Sequence, residues 1–188
     1  FLDLAMVNSD GVIYKERIYF TSGKDKGYAT FYIDKDKKKQ FLPGYNIACA
    51  ITQFTMGCDI LELAGKTKTK TLNIYDSDAK KEVPTKCEVV VDMLQKPIAL
   101  GILKQLVNKT VNKEGKYVPI PEYREINVID RVFHPENGCT LSEHRAGESA
   151  GEFVNKWQGK NAGVTQDRRT IKTGEVGEKK KKKASLFT

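Results

Sequence analysis

Strand-like stretches in which tyrosine alternates with lysine or arginine are the residues here best suited to chemistry, and single-stranded nucleic acid is the ligand they suit. Bases stack on aromatic rings while cations follow the phosphates, and stacking tolerates any base because every base has a π-face. The best stripe is Lys15, Arg17 and Tyr19, then Tyr28 and Tyr32, with Lys24 and Lys26 in the loop between them. Lys68, Lys70 and Tyr75 on a later strand extend it. If Tyr19 or Tyr32 stacks a base, its replacement by Ala is expected to cost about 1–3 kcal/mol of binding. Each residue taken singly is an ordinary feature of a half-exposed sheet, so the weight lies in the combination.

Catalytic chemistry has less to work with. The chain has no phosphate-cradling GxxxxGK[ST], no GxSxG elbow and no HExxH. Asp76 and Asp78 could share a divalent metal for phosphoryl transfer, yet two aspartates around a serine are typical turn residues. His134 precedes a proline and His144 lies between Glu143 and Arg145, neither beside a nucleophile. Cys49, Cys58, Cys87 and Cys139 are far apart with no CxxC pair, and so read as free thiols rather than zinc ligands. The expectation is a non-enzymatic protein with no metal and no cofactor.

The formal charge of +8 points to an anionic partner, but its placement matters more than its total. From Thr165 to Thr188 there are eight basic and three acidic residues, so five of the eight net charges lie in that stretch. Lys179 to Lys183 can hold nucleic acid by counterion release or simply keep a linker soluble. Leu186 and Phe187 after them have the form of a short docking peptide. The longest apolar runs, such as Val89 to Val91 and Ile98 to Leu103, are far shorter than the roughly 20 residues that cross a bilayer, so no membrane partner is expected.

The elements that must position these residues read as one domain over 1–160 and a flexible basic tail over 161–188. In Val12–Phe20, Val12, Tyr14, Ile18 and Phe20 fall on one strand face and Ile13, Lys15, Arg17 and Tyr19 on the other. Tyr28–Ile33 alternates likewise and is expected to complete a hairpin with it. The charged run Asp34–Gln40 reads as a solvated connection. Ile47, Ile51, Phe54 and Cys58 recur at helical spacing, predicting a helix over Tyr45–Met56 that Gly57 stops. Strands follow at Lys70–Tyr75, Cys87–Leu94 and Ile98–Val107, the last two joined as a hairpin across Gln95-Lys-Pro97, with Gly101 at a bulge or barrel corner. The polar stretch Asn108–Arg124 reads as an excursion before Ile126–Phe133 returns. Thr140 with Glu143, and Ser149 with Glu152, are capping boxes that predict two short helices, the second laying Phe153, Val154 and Trp157 on the body.

Several blocks resemble a family of bacteriophage single-stranded-DNA-binding proteins. They are Thr21-Ser-Gly-Lys-Asp-Lys-Gly-Tyr28, Leu42-Pro-Gly-Tyr45, Tyr75-Asp-Ser-Asp-Ala-Lys-Lys-Glu-Val-Pro84, Ile102-Leu-Lys-Gln105, Asn127-Val-Ile-Asp130 with Val132-Phe133, and Arg145-Ala-Gly147. The resemblance implies a non-catalytic protein that coats exposed strands during phage DNA replication, recombination or repair, in the cytoplasm of the infected host. It also implies partners among phage replication or recombination proteins, met through the C-terminal tip. Many such proteins end in an acidic tail with a terminal aromatic residue. This chain keeps the aromatic and reverses the charge. The expected fold is mainly β with short helices (α+β), an OB-like five-stranded β-barrel with a helix after the second strand, C-terminal helices and a disordered basic tail. The competing reading is a replication-associated interaction module that holds nucleic acid only through its lysine tail.

Overall fold

The computed structural model describes residues 1–76 and 79–171. Leu2, Leu4 and Met6 alternate with Asp3, Ala5 and Val7 to form β1 (Leu2–Val7), which pairs antiparallel with β2 (Ile13–Ile18) in a register that sets Ala5 against Lys15 and Asp3 against Arg17. Asn8 closes this hairpin, its Oδ1 accepting the N–H groups of Asp10 and Val12 at 3.0 and 2.8 Å. The two faces of β2 are those expected. Tyr14, Glu16 and Ile18 are covered, while Ile13 and Lys15 are exposed.

The partner of β2 is not the one expected. β3 (Phe31–Ile33) pairs instead with β4 (Lys39–Phe41), so no hairpin joins Val12–Phe20 to Tyr28–Ile33. The chain between them is spent locally on a 3-10 turn at Lys24–Lys26 and a bond from Ser22 N–H to the Ala29 carbonyl. The run Asp34–Gln40 is a tight turn leading into β4 rather than a loose connection. Asp34 Oδ1 accepts from the N–H groups of both Asp36 and Lys38 at 2.9 Å, the Asx geometry that a short polar side chain offers the backbone.

β5 (Thr67–Asp76) and β6 (Lys81–Val90) form a ten-residue ribbon that folds β6 back on β5, so the hairpin expected across Gln95-Lys-Pro97 does not form. The expected excursion Asn108–Arg124 is strand throughout except at its turn. It belongs to β7 (Ala99–Lys113) and β8 (Lys116–Phe133), joined by Glu114-Gly115 with both φ angles positive, as a two-residue hairpin requires. Val111, Tyr117, Val118, Ile120 and Tyr123 supply the strand propensity that the polar composition concealed. Pro119 and Pro121 are tolerated because β8 is an edge strand in the order β8-β7-β9, and their i, i+2 spacing sends both missing donors to the same side. β9 (Thr165–Asp167) lies within the stretch read as tail and runs parallel to Lys104–Leu106 of β7.

These pairings exclude the OB-like barrel. The strands form sheets of two, two, two and three, and no pairing among the described residues links one sheet to another. Each of β1 to β8 pairs with a neighbour in sequence and β9 adds to β7, which leaves no strand to close a cylinder. What remains among the described residues is mostly strands in small, mainly antiparallel sheets with three short helices.

The chain divides into two compact units, Phe1–Gly101 with Ile129–Gly159, and Ile102–Val128 with Lys160–Thr188, the boundary falling inside β7 and β8. The core of the first unit is built on α1 (Pro43–Met56). Pro43 occupies a first-turn position where its missing N–H costs nothing, and Gly57 ends the helix in the left-handed region at φ 73°. Ala48 to Thr52 are all buried, and Ala50 and Ile51 cluster with Ile18, Ile129 and Val132, flanked by Leu2, Leu4, Ile47, Phe54 and Leu100. Gly101 marks a close approach rather than a barrel corner, since a Cβ there would lie 2.9 Å from the Trp157 ring.

Two short helices finish this unit. α2 (Leu141–Arg145) has the expected Thr140–Glu143 capping box, but Ser149 caps nothing, and α3 (Phe153–Asn161) starts four residues beyond it. Glu143 serves both helices. Its Oε2 accepts from the Thr140 N–H at 2.8 Å, and its Oε1 accepts from the N–H groups of Glu152 and Phe153 at 3.1 and 3.0 Å.

Candidate nucleic-acid interface

The structure disperses the stripe read from the sequence. Lys15 and Arg17 lie on β2 with Tyr19 just beyond it, on the face expected, and Tyr19 is 62% exposed. Lys24 and Lys26 belong to the 3-10 turn, Tyr28 follows it in the left-handed region, and Tyr32 sits on β3 in a different sheet. Lys68, Lys70 and Tyr75 are on β5, but the odd residue points to the opposite face of the ribbon from the two even ones. Leu186 and Phe187 lie outside the described residues, as does Asp78. Asp76 acts as a turn residue, accepting the Ala79 N–H at 2.9 Å.

One cation of the stripe is spent on an ion pair. The Arg17 guanidinium makes a bidentate pair with Asp3 at 2.6 and 2.9 Å and lies 4.3 Å from the Phe1 ring centre. Lys15 lines a hollow that also contains Asp3, Glu16 and Glu82. A phosphate approaching this surface meets carboxylates as well as cations.

A second aromatic and basic surface, not foreseen from the sequence, lies in the same unit. A cleft of about 930 Å3 runs past Phe41 at the end of β4, Tyr45 on the first turn of α1, Asp130 and Arg131 near the end of β8, Arg145 on α2 and Phe153 at the start of α3. Phe41 stacks on Tyr45 with ring centres 5.1 Å apart and 22° between planes. The β3–β4 register sets Phe31 opposite Phe41, and the Lys39 ammonium lies over both rings at 4.1 and 4.9 Å. Across the cleft, the Arg131 guanidinium lies 5.8 Å from the Phe153 ring centre. Phe31, Phe41 and Phe153 each keep over a third of their surface exposed. The sequence signal was the alternation Lys39-Gln-Phe41 ahead of Pro43, hidden inside a stretch that looked only charged.

The carboxylates of the cleft bind internal donors. Asp59 accepts from the Tyr45 hydroxyl at 3.1 Å, the Cys49 thiol at 3.2 Å and the Leu61 N–H at 3.0 Å. Burial alone would push the Asp59 carboxyl up, but these bonds and the Arg145 charge hold it below the usual carboxylate range. Burial foremost raises the Tyr45 hydroxyl and the Cys49 thiol, so both stay protonated as donors. Asp130 accepts from the Trp157 indole N–H at 2.7 Å and pairs with Arg131 at 3.6 Å. Arg145 makes no hydrogen bond or ion pair of its own among the described residues.

Glu143 is held at about 2, chiefly by the Thr140 N–H and then by that of Phe153. A carboxylate depressed in the folded state stabilises fully above its unfolded value and loses that contribution as pH falls towards 2. Acidification from pH 5 to pH 2 is therefore expected to remove on the order of 1–2 kcal/mol through this group once solvent screening is allowed for. Urea midpoints across that range, with Glu143→Gln showing a flatter dependence, check it.

Among the described residues no three His, Cys, Asp or Glu side chains are grouped to hold a metal, and the four cysteines are free. His134 and His144 stack on each other at 5.5 Å beside Phe54, as packing partners. No described helix is long and apolar enough to cross a membrane. Comparisons with known proteins give no match: no family model, no curated protein and no solved structure is significantly similar to this chain.

Proposed function

We propose that this protein binds single-stranded DNA without catalysing a reaction on it, stacking bases on the aromatic rim of the cleft. One observation carries the reading. Asp59, Asp130 and Glu143 accept from internal donors, while Phe41, Phe153, Lys39 and Arg131 keep exposed surface. Such a surface offers rings to bases and cations to phosphates while presenting little unpaired negative charge to repel them. Three of the blocks that resemble phage single-strand binders, Leu42–Tyr45, Asn127–Asp130 with Val132–Phe133, and Arg145–Gly147, carry cleft residues. They support a role in coating exposed strands during phage DNA replication, recombination or repair in the host cytoplasm.

The test is a fluorescence-anisotropy titration of labelled single-stranded and duplex oligonucleotides at two salt concentrations. Tighter binding of the single strand is expected at both. Equal affinity for the two forms would refute the reading. The second reading, an interaction module that holds nucleic acid only by its lysines, is discriminated by removing Lys172 to Thr188. That cut leaves β9 intact, and loss of all binding at physiological salt would favour the second reading.

A further inference from the structure

The unit that holds the cleft has 18 basic and 18 acidic residues, so counterion release there depends on which cations no carboxylate has already taken. Its three arginines differ in this respect. Arg17 is held bidentately by Asp3 at 2.6 and 2.9 Å. Arg131 donates to the Asp130 carbonyl at 2.7 Å and has the Asp130 carboxylate at 3.6 Å. Arg145, the last residue of α2, lines the cleft and makes no hydrogen bond or ion pair among the described residues.

The carboxylate that feels the Arg145 charge is Asp59, which also lines the cleft. Both of its oxygens are occupied. Oδ1 accepts from the Leu61 N–H at 3.0 Å, Oδ2 accepts from the Cys49 thiol at 3.2 Å, and the Tyr45 hydroxyl lies 3.1 and 3.2 Å from the two. Attraction without a hydrogen bond favours a guanidinium directed at the cleft and leaves its five N–H donors for a ligand.

Neutral donors line the same cleft. Ser142, three residues before Arg145 on α2, falls on the same helix face. Asn46 on α1 follows Tyr45, the residue on which Phe41 stacks. Both line the cleft, and neither side chain is hydrogen-bonded among the described residues. A guanidinium fork with a hydroxyl and a carboxamide is a donor set suited to the non-bridging oxygens of a phosphodiester.

We infer that Arg145, with Ser142 and Asn46 beside it, binds a phosphodiester of the single strand whose bases stack on the cleft rim. The inference rests on the single-strand reading above and adds to it a backbone contact in a unit whose basic and acidic residues balance. In the full-length chain the slope of log affinity against log salt is measured with a labelled single-stranded oligonucleotide. Arg145→Gln is expected to make the slope shallower by about 0.7, the contribution of one phosphate contact to a single strand, and to lower affinity at least about 3-fold at physiological salt. Arg145→Lys keeps the charge but not the fork, so the slope is expected to stay within about 0.3 of the parent while affinity falls about 2- to 5-fold. Arg17→Gln removes the same charge from an existing ion pair and is expected to change the slope by less than about 0.3. An unchanged slope in Arg145→Gln, a slope that Arg145→Lys does not restore, or an equal loss in Arg17→Gln overturns the inference while leaving single-strand binding standing. Absence of single-strand binding by the parent chain overturns both.

Discussion

Alanine in place of Gly44 is expected to lower the unfolding free energy by about 3 kcal/mol or more, read as a fall in the urea midpoint. A Cβ on Gly44 would lie 2.1 Å from the carbonyl oxygen of Tyr19 and 3.0 Å from its carbon. Both are backbone atoms just past β2, so no side-chain rotation relieves the overlap, and the first turn of α1 must move away. Pro43 and Tyr45 line the cleft from that turn, so the same substitution is expected to weaken single-strand binding. Gly159 in α3 is the control. A Cβ there meets nothing within 4 Å, and Gly159→Ala is expected to be neutral or to stabilise by up to about 1 kcal/mol through helix propensity. An unchanged midpoint for Gly44→Ala would mean that α1 does not approach β2 as described.

Phe41→Ala is expected to cost about 1–3 kcal/mol of single-strand affinity, a loss of about 5- to 150-fold, with little change in the salt slope because no charge is removed. The ring stacks on Tyr45 at 5.1 Å and has the Lys39 ammonium 4.9 Å from its centre, and it is 43% exposed. Phe41→Tyr preserves the π-face and is expected to retain binding. Tyr19→Ala, measured alongside, decides between the two aromatic surfaces of the first unit. Tyr19 meets Phe1 edge-on at 6.3 Å beside an arginine already paired with Asp3, so a smaller loss is expected there. A larger loss at Tyr19 than at Phe41 would return the interface to the β2 face.

How far the cleft was legible depended on the range of the interactions that build it. The helix over α1 was readable because Ile47, Ile51 and Phe54 repeat along one element and Gly57 ends it locally. The Thr140–Glu143 box was readable because its hydrogen bonds span three residues. The reach of Glu143 to the start of α3 was not, since nothing in the spacing shows that the chain returns to the same carboxylate ten residues later. Phe41, just after the charged run Asp34–Gln40, had no assigned role until pairing with Phe31 and stacking on Tyr45 gave it one.

The sequence by itself determined the strand faces, the main helix, the first capping box, the free thiols and the concentration of positive charge towards the C-terminus. These follow from periodicity, local hydrogen bonding and counting. Only the tertiary structure decided which strands pair, and it replaced the expected barrel with local hairpins, because turn residues such as Asn8, Asp34 and Glu114-Gly115 let strands adjacent in sequence pair with each other. It also decided which cations are spent. Arg17 and Lys113 are both basic residues in strands, but one faces Asp3 at 2.6 Å while the other faces no carboxylate among the described residues, and charge available to a phosphate is set by that pairing rather than by composition.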